Sequence, residues 1–338
     1  MAKIDLEKFE SLIEQGYINK QKHPIEDLFI FNYSTKTQYE SFWNDFTKIA
    51  RGLITDKEGN IVARPFPKFF NLEEDKDPLP NENFEVFDKL DGSLGILYFI
   101  KDEPFIATRG SFDSFQAIKA NEILKNKYKN IVFNKNYTYL FEIIYPENRI
   151  VVDYKGLEDL ILIAIIDTES GKDLELQDLG MPIVKKFDGV KDIHKLRELE
   201  DMVNEGFVIK FKNDFRVKLK FTEYIRLHRI VTYINSRIIW ENLKDKKPFD
   251  EILDKVPDEF YKWVKKTIAD LENKYSEIEN ICKSEFKILE TRKETAEYFN
   301  KCSYSTVLFK MLDNKDYSEF IWRQIKPKYE RAFALDES

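Results

Sequence analysis

The sequence predicts an α+β protein, with an antiparallel-rich domain over residues 1–234 followed by an all-helical domain over residues 235–338. Three observations carry this expectation. At 338 residues the chain exceeds the length at which one hydrophobic core keeps growing, so two domains are expected. Residues 29–227 read as short runs rich in β-branched and aromatic side chains, separated by turn residues. Beyond Tyr224 such runs become few, and apolar residues recur at helical spacing instead.

The N-terminal stretch MAKIDLEKFESLIEQG is amphipathic and broken by charges, unlike the apolar centre of a secretion signal. Strands are expected at NYSTKTQYE, GLITDKEGNIVARP, FEVFDKL, SLGILYFI, PFIATRG, TYLFEII, RIVVDY, LILIAII, FVIKF and RVKLKF. LITD and NIVA flank Lys57-Glu58-Gly59, a hairpin signal in which Gly59 supplies the positive φ. SLGILYFIKDEPFIATRG reads as a second hairpin that turns at residues 101–104. Helices are expected at residues 113–130 and 190–204, and the order of elements is not the alternation of a βαβ fold. In the second domain, Phe260, Val264, Ile268, Leu271, Tyr275, Ile278 and Cys282 mark one face of a helix. Pro257, followed by Asp258 and Glu259, reads as its start. Further helices are expected near residues 293–302, 305–312 and 317–333.

Composition excludes several chemistries. Cys282 and Cys302 are the only cysteines, too few for a disulfide framework or a four-sulfur zinc site. His23, His194 and His228 lie too far apart in sequence to suggest metal ligation. Any metal is therefore expected on oxygen ligands, as magnesium is. No apolar run reaches the roughly 20 residues of a membrane span, and a reducing, cytoplasmic location is expected. The formal charge of −7 argues against a nucleic-acid partner, but 54 basic residues are enough to cluster locally.

The most informative stretch is Phe84-Glu-Val-Phe-Asp-Lys89-Leu-Asp91-Gly92-Ser93. Asp88, Lys89 and Asp91 interrupt two apolar runs, and Gly92 follows at once. Alone, K-x-D-G is equally compatible with a surface turn or with a nucleophilic lysine on a tight loop. A free amine near its reference pKa of about 10.4 is almost wholly protonated and cannot attack phosphorus. The nucleophilic reading therefore expects burial and neighbouring cations to lower the pKa of Lys89. It also expects Gly92 to let the backbone approach a nucleotide closely. Downstream, Glu142 interrupts an apolar strand, either facing water at an edge or meeting a buried partner. Lys218 and Lys220 share one strand face, as a guarded edge or as two cations aimed at one anion.

With these motifs in order, the chain resembles the covalent lysyl-nucleotidyltransferases: DNA ligases, RNA ligases and capping enzymes. Glu205-Gly206-Phe207-Val208-Ile209-Lys210 resembles their E-G-h-V-h-K strand, and Val217–Phe221 their paired-lysine strand. Upstream, Ala50-Arg51-Gly52-Leu53 and Arg64-Pro65-Phe66-Pro67-Lys68-Phe69-Phe70-Asn71 look like the phage-type RNA ligase 1 family. Thr108-Arg109-Gly110-Ser111 resembles its T-K-G-S element with arginine in place of lysine, and residues 145–151 its P-x-N-R-I-V segment. The resemblance covers roughly residues 29–229.

The resemblance implies a nucleotidyltransferase (ATP-grasp-like) fold that joins 5′-phosphate and 3′-hydroxyl RNA ends at the expense of ATP. Lys89 would carry AMP covalently, and Asp91 would accept hydrogen bonds or bind metal during end transfer. Arg51, Lys68, Lys218 and Lys220 would contact ATP phosphates, with Phe70 shaping the pocket beside Gly92 and Arg109. Glu142 would take the ribose hydroxyl, and Glu205 would help hold Mg2+ or Mn2+. Single-stranded or nicked-loop RNA is the implied substrate, tRNA among them, with a monomer expected and the helical domain influencing substrate choice. A capping-type guanylyltransferase and a non-catalytic RNA-binding relative are the alternatives.

Overall fold

The computed structural model of the protein describes residues 2–74, 78–190, 192–201, 204–253, 256 and 258–332. The chain divides into two units, Met1–Arg226 and Leu227–Leu335. The division falls inside a helix, Thr222–Tyr233, ahead of the expected boundary between 234 and 235.

The first unit holds three sheets. The strands Ile18–Lys22, Leu28–Tyr33, Arg51–Asp56 and Ile61–Ala63 form an antiparallel meander. A five-stranded sheet has the order Asp173–Leu174, Asp159–Asp167, Tyr137–Ile144, Ser93–Ile100, Glu103–Ala107, all antiparallel. The third has the order Lys186–Phe187, Phe84–Lys89, Gly206–Phe211, Arg216–Lys220, Phe70–Asn71, and only its last pair is parallel. Alternation of apolar residues puts one face of the first sheet and one of the second into a shared core. Ile30, Ile54 and Ala63 of the first sheet pack on Ile96, Leu140 and Ile166 of the second. The outer face of the second sheet is covered by helix Phe115–Lys127, through Ala120, Ile123 and Leu124. Helix Leu6–Glu14 covers the first through Phe9 and Leu12.

Three local expectations are corrected. NYSTKTQYE leaves its strand at Tyr33, because the Ser34 hydroxyl accepts the Thr37 N–H and caps a short helix, Thr35–Tyr39. RIVVDY forms no strand, because the N–H groups of Val151 and Val152 are taken by the Asp91 carboxylate rather than by a ladder. Residues 190–204 hold a 3-10 helix, Ile193–Leu199, within the described part of that span. The first hairpin turns as expected, with Gly59 at φ +79°. The second turns at Lys101 and Asp102, and Pro104 sits within the edge strand that follows.

Among the described residues, the second unit contains only helices: the end of Thr222–Tyr233, then Ser236–Lys244, Asp250–Leu253, Asp258–Glu285, Arg292–Phe299, Ser305–Leu312 and Ser318–Gln324. The long helix buries Phe260, Val264, Leu271, Ile278 and Cys282, the face read from spacing. Pro257, read as its start, and Phe333, read as the end of the last helix, lie outside the described residues. No helix is long and apolar enough to cross a membrane among the described residues.

Candidate active site

Lys89 ends one strand of the third sheet, and the next strand, Ser93–Ile100, belongs to the second. Leu90, Asp91 and Gly92 therefore carry the chain between sheets, where a hairpin-like loop would have kept it in one. On the third sheet the central residue Gly206 pairs with Lys89 on one side and Lys220 on the other. This register brings Glu205 between two lysines. Its Oε1 lies 2.8 Å from Lys89 Nζ and 2.8 Å from Lys220 Nζ, with only 3% of the side chain exposed. Glycine is required at 206: φ is +148°, and a Cβ would stand 2.0 Å from the Leu219 carbonyl oxygen.

The loop is held rigidly. The Asp91 carboxylate accepts the N–H groups of Val151 and Val152 at 2.8 and 2.9 Å on Oδ2, and the Tyr224 hydroxyl at 2.7 Å on Oδ1. Its own N–H donates to the Tyr154 hydroxyl at 2.7 Å. The Gly92 N–H donates to Glu142 Oε1 at 2.9 Å. Ser93 donates to Asn148, whose amide donates to the Ile143 carbonyl. Gly92 is needed for a reason other than nucleotide approach, since a Cβ there would meet that same Ile143 oxygen at 2.6 Å. With three donors on its two oxygens, Asp91 works here as an anchor of the loop rather than as an open metal ligand.

The electrostatics correct one expectation outright. Burial pulls the Lys89 ammonium toward neutrality, but Glu205, Glu142 and Asp91 outweigh it, and its pKa rises above the ordinary lysine value. Without a ligand, this amine is held protonated. Burial pushes the Glu142 carboxyl up to about 7, although Lys89 opposes the shift. Burial also opposes ionisation of Glu205, yet Lys89 and Lys220 hold its pKa below the usual carboxylate range.

The paired lysines turn out to be unlike. Lys220 is neutralised by Glu205, whereas among the described residues Lys218 forms no ion pair. Burial, then Lys68, Lys89, Lys220 and Arg51, brings the Lys218 pKa down to about 6. Lys68 falls to about 8 by burial and by Arg51, and Arg51 to about 10, chiefly by burial. Arg51 presents a buried Nη1 without a hydrogen-bond partner, above the rings of Phe66 and Phe69. Lys68 Nζ lies 4.9 Å from the Phe70 ring and 5.5 Å from that of Trp43. Arg109 donates to the Tyr33 hydroxyl at 2.9 Å. Cations that depress one another's pKa, with an orphaned buried guanidinium nitrogen among them, form a site suited to an anion. The site residues that the resemblance implies lie in this one neighbourhood of the first unit.

The reading of the sequence missed Tyr33, Trp43, Tyr154 and Tyr224. The first two sit in or beside a stretch read as plain strand. The tyrosines carry no motif signal, and only the fold brings them to Arg109 and Asp91.

A family model for RNA ligase, of the phage T4 type 1 class, matches residues 49–224, just over half of the chain. This protein belongs to the phage-type RNA ligase 1 family. Within the family, a provisionally named RNA ligase of Thermovibrio ammonificans is 30% identical over 244 residues, 66% of this chain and 62% of that protein. The chain thus spans less than two thirds of that relative. An RNA ligase of Rhodothermus phage RM378 is 26% identical, covering 82% of this chain and 79% of the phage protein. Among solved structures, an archaeal ATP-dependent RNA ligase superposes over 92% of this chain and 96% of its own, at 13% identity and a TM-score of 0.49.

Proposed function

We propose that this RNA ligase family member is an ATP-dependent RNA ligase that joins 5′-phosphate and 3′-hydroxyl ends through a lysyl–AMP on Lys89. One observation carries the reading: the Lys89 amine borders a cluster of cations, Arg51, Lys68, Lys218 and Lys220, of which, among the described residues, Lys220 alone forms an ion pair, with Glu205. A triphosphate would offer these cations the negative charge they are arranged to share. Lys89 Nζ attacks the α-phosphorus, an N–P bond forms, the bond to the bridging oxygen breaks, and pyrophosphate leaves against Lys68 and Lys218. The 5′-phosphate of RNA then displaces the lysine, and finally the 3′-hydroxyl displaces AMP.

The raised pKa of Lys89 makes loss of its proton the step that must be arranged. Glu205 is the carboxylate that would hold Mg2+ or Mn2+, together with phosphate oxygens and water. That division of ligands fits, because no group of three metal-ligating side chains stands ready among the described residues. A divalent cation there would supply charge neutralisation, and Glu205, turned toward it, would hold the Lys89 proton less tightly. Asp91 keeps the loop in place throughout, and Glu142 would take the ribose hydroxyl. A cytoplasmic monomer with free Cys282 and Cys302 completes the reading.

The test is incubation with magnesium and α-labelled ATP or GTP, followed by denaturing electrophoresis and by addition of 5′-phosphorylated single-stranded RNA. Label from ATP alone and a circular or joined RNA product are expected. Label from GTP alone would move the assignment to a capping-type guanylyltransferase, and RNA binding with no label from either to a non-catalytic relative.

Triphosphate binding is also expected to take up protons. With pKa values of about 6 and about 8 in the free site, Lys218 and Lys68 are partly or largely neutral at pH 7.5. An anion raises both, so the bound form holds more protons and affinity falls as pH climbs above 6. Calorimetry with inorganic triphosphate in two buffers of different ionisation enthalpy measures the sign. Proton release on binding would contradict the site electrostatics.

A further inference from the structure

We infer that the second unit carries a single-stranded RNA track along helix Ser236–Lys244 and the segment 325–331 that lies against it. The inference rests on the ligase reading for the identity of its polyanion. The contact between the two segments is built by hydrogen bonds of the Ser236 backbone and hydroxyl to the main chain of the segment. Ser236 N–H donates to the Glu330 carbonyl at 2.9 Å, its hydroxyl donates to the Lys328 carbonyl at 2.5 Å, and the Glu330 N–H donates back to that hydroxyl at 3.0 Å. The Trp240 indole N–H donates to the Trp322 carbonyl at 2.8 Å. This arrangement brings Lys244 from the helix and Lys326 from the segment over one ring, each Nζ 5.4 Å from the Trp240 centroid.

Charge concentrates here against the trend of the chain. Residues 237–247 and 323–331 together hold eight Lys and Arg against three carboxylates, in a protein of net charge −7. Lys326 and Lys328 are exposed. An exposed aromatic ring is presented among these cations, Tyr329 at 45% exposure, with Arg331 5.3 Å from its centroid. Cations with open ring faces match a strand of phosphates with unstacked bases. A lipid surface would instead need apolar side chains projecting beside the cations. The Tyr ring is amphipathic and its hydroxyl suits the wet edge of a nucleotide.

The deciding experiment compares the full chain with Lys326→Ala/Lys328→Ala and with Tyr329→Ala. Binding of a 5′-hydroxyl oligoribonucleotide, which has no end to activate, is measured from 50 to 300 mM salt (a range on the order of that used to read counterion release). For the double variant we expect roughly tenfold weaker binding and a salt slope smaller by about 1.4, near 0.7 for each lost phosphate contact. Tyr329→Ala is expected to weaken binding by about tenfold with an unchanged slope, as lost stacking does. Labelling of all three proteins by α-labelled ATP should be equal. RNA affinity unchanged in both variants, with labelling intact, overturns the track and leaves the ligase reading standing. Loss of polyglutamate binding equal to that of RNA overturns it too, as a general polyanion site. Absence of label from the unaltered protein speaks instead against the ligase reading.

Discussion

Lys89→Ala is expected to abolish covalent labelling by α-labelled ATP, a fall of at least about 10^4-fold, the scale seen when a nucleophile is removed. The fold should survive the change, because the Glu205 carboxylate that loses Lys89 keeps Lys220 on the same oxygen at 2.8 Å. Lys89→Arg sharpens the result. It retains positive charge beside Glu205, but a guanidinium with a pKa above about 12 offers no free electron pair at working pH. Both variants should therefore fold, bind triphosphate on Lys68 and Lys218, and fail to form an adduct. Intact-mass measurement after incubation with ATP and magnesium reads the outcome directly. An adenylate adduct that persists on either variant would remove Lys89 from the chemistry.

Gly206→Ala carries the second large effect, and here the cause is steric. A methyl group at 206 meets the Leu219 carbonyl oxygen at 2.0 Å and the Lys220 Cα at 2.9 Å, in backbone conformation with φ +148°. Backbone cannot swing aside as a side chain can, so the strand pair must part where it joins Glu205 to Lys220. A loss of about 2–4 kcal/mol in stability is expected, the range for strain combined with a buried clash. Adenylylation should fall by about 100-fold or more, since the carboxylate between the lysines is displaced. Gly180→Ala is the control. It has φ +77° with nothing within 4 Å of a Cβ, and should cost only about 1 kcal/mol. Equal denaturant midpoints for the two variants, together with full labelling by Gly206→Ala, would refute the account of this glycine.

Much of the site could be read in the chain because its motifs are short and local. Asp91 and Gly92 fall within three residues of Lys89, and Glu205 with Gly206 opens a strand of recognisable alternation. Lys218 and Lys220 were placed on one face by the period of the strand alone. What misled was also local. RIVVDY has the composition of a strand, but Asp91, some sixty positions earlier, captures two of its N–H groups. NYSTKTQYE has strand-like residues, but one serine hydroxyl turns it into a helix. Composition reports propensity, and a single buried acceptor can outweigh it.

The order of residues along the chain is enough to give the chemistry on offer: a lysine within K-x-D-G, a strand-embedded acid, paired lysines, an antiparallel-rich domain and the helical face from Phe260 to Cys282. The state of those groups depends on the folded arrangement. That arrangement put one carboxylate oxygen between Lys89 and Lys220, made Asp91 an anchor, and drove the Lys218 pKa down while holding that of Lys89 up. The reason is that an ionisable group answers to every charge within a few ångströms and to its own desolvation. Those distances are fixed by strand register between segments more than a hundred residues apart, as with Lys89 and Gly206, and core packing sets that register.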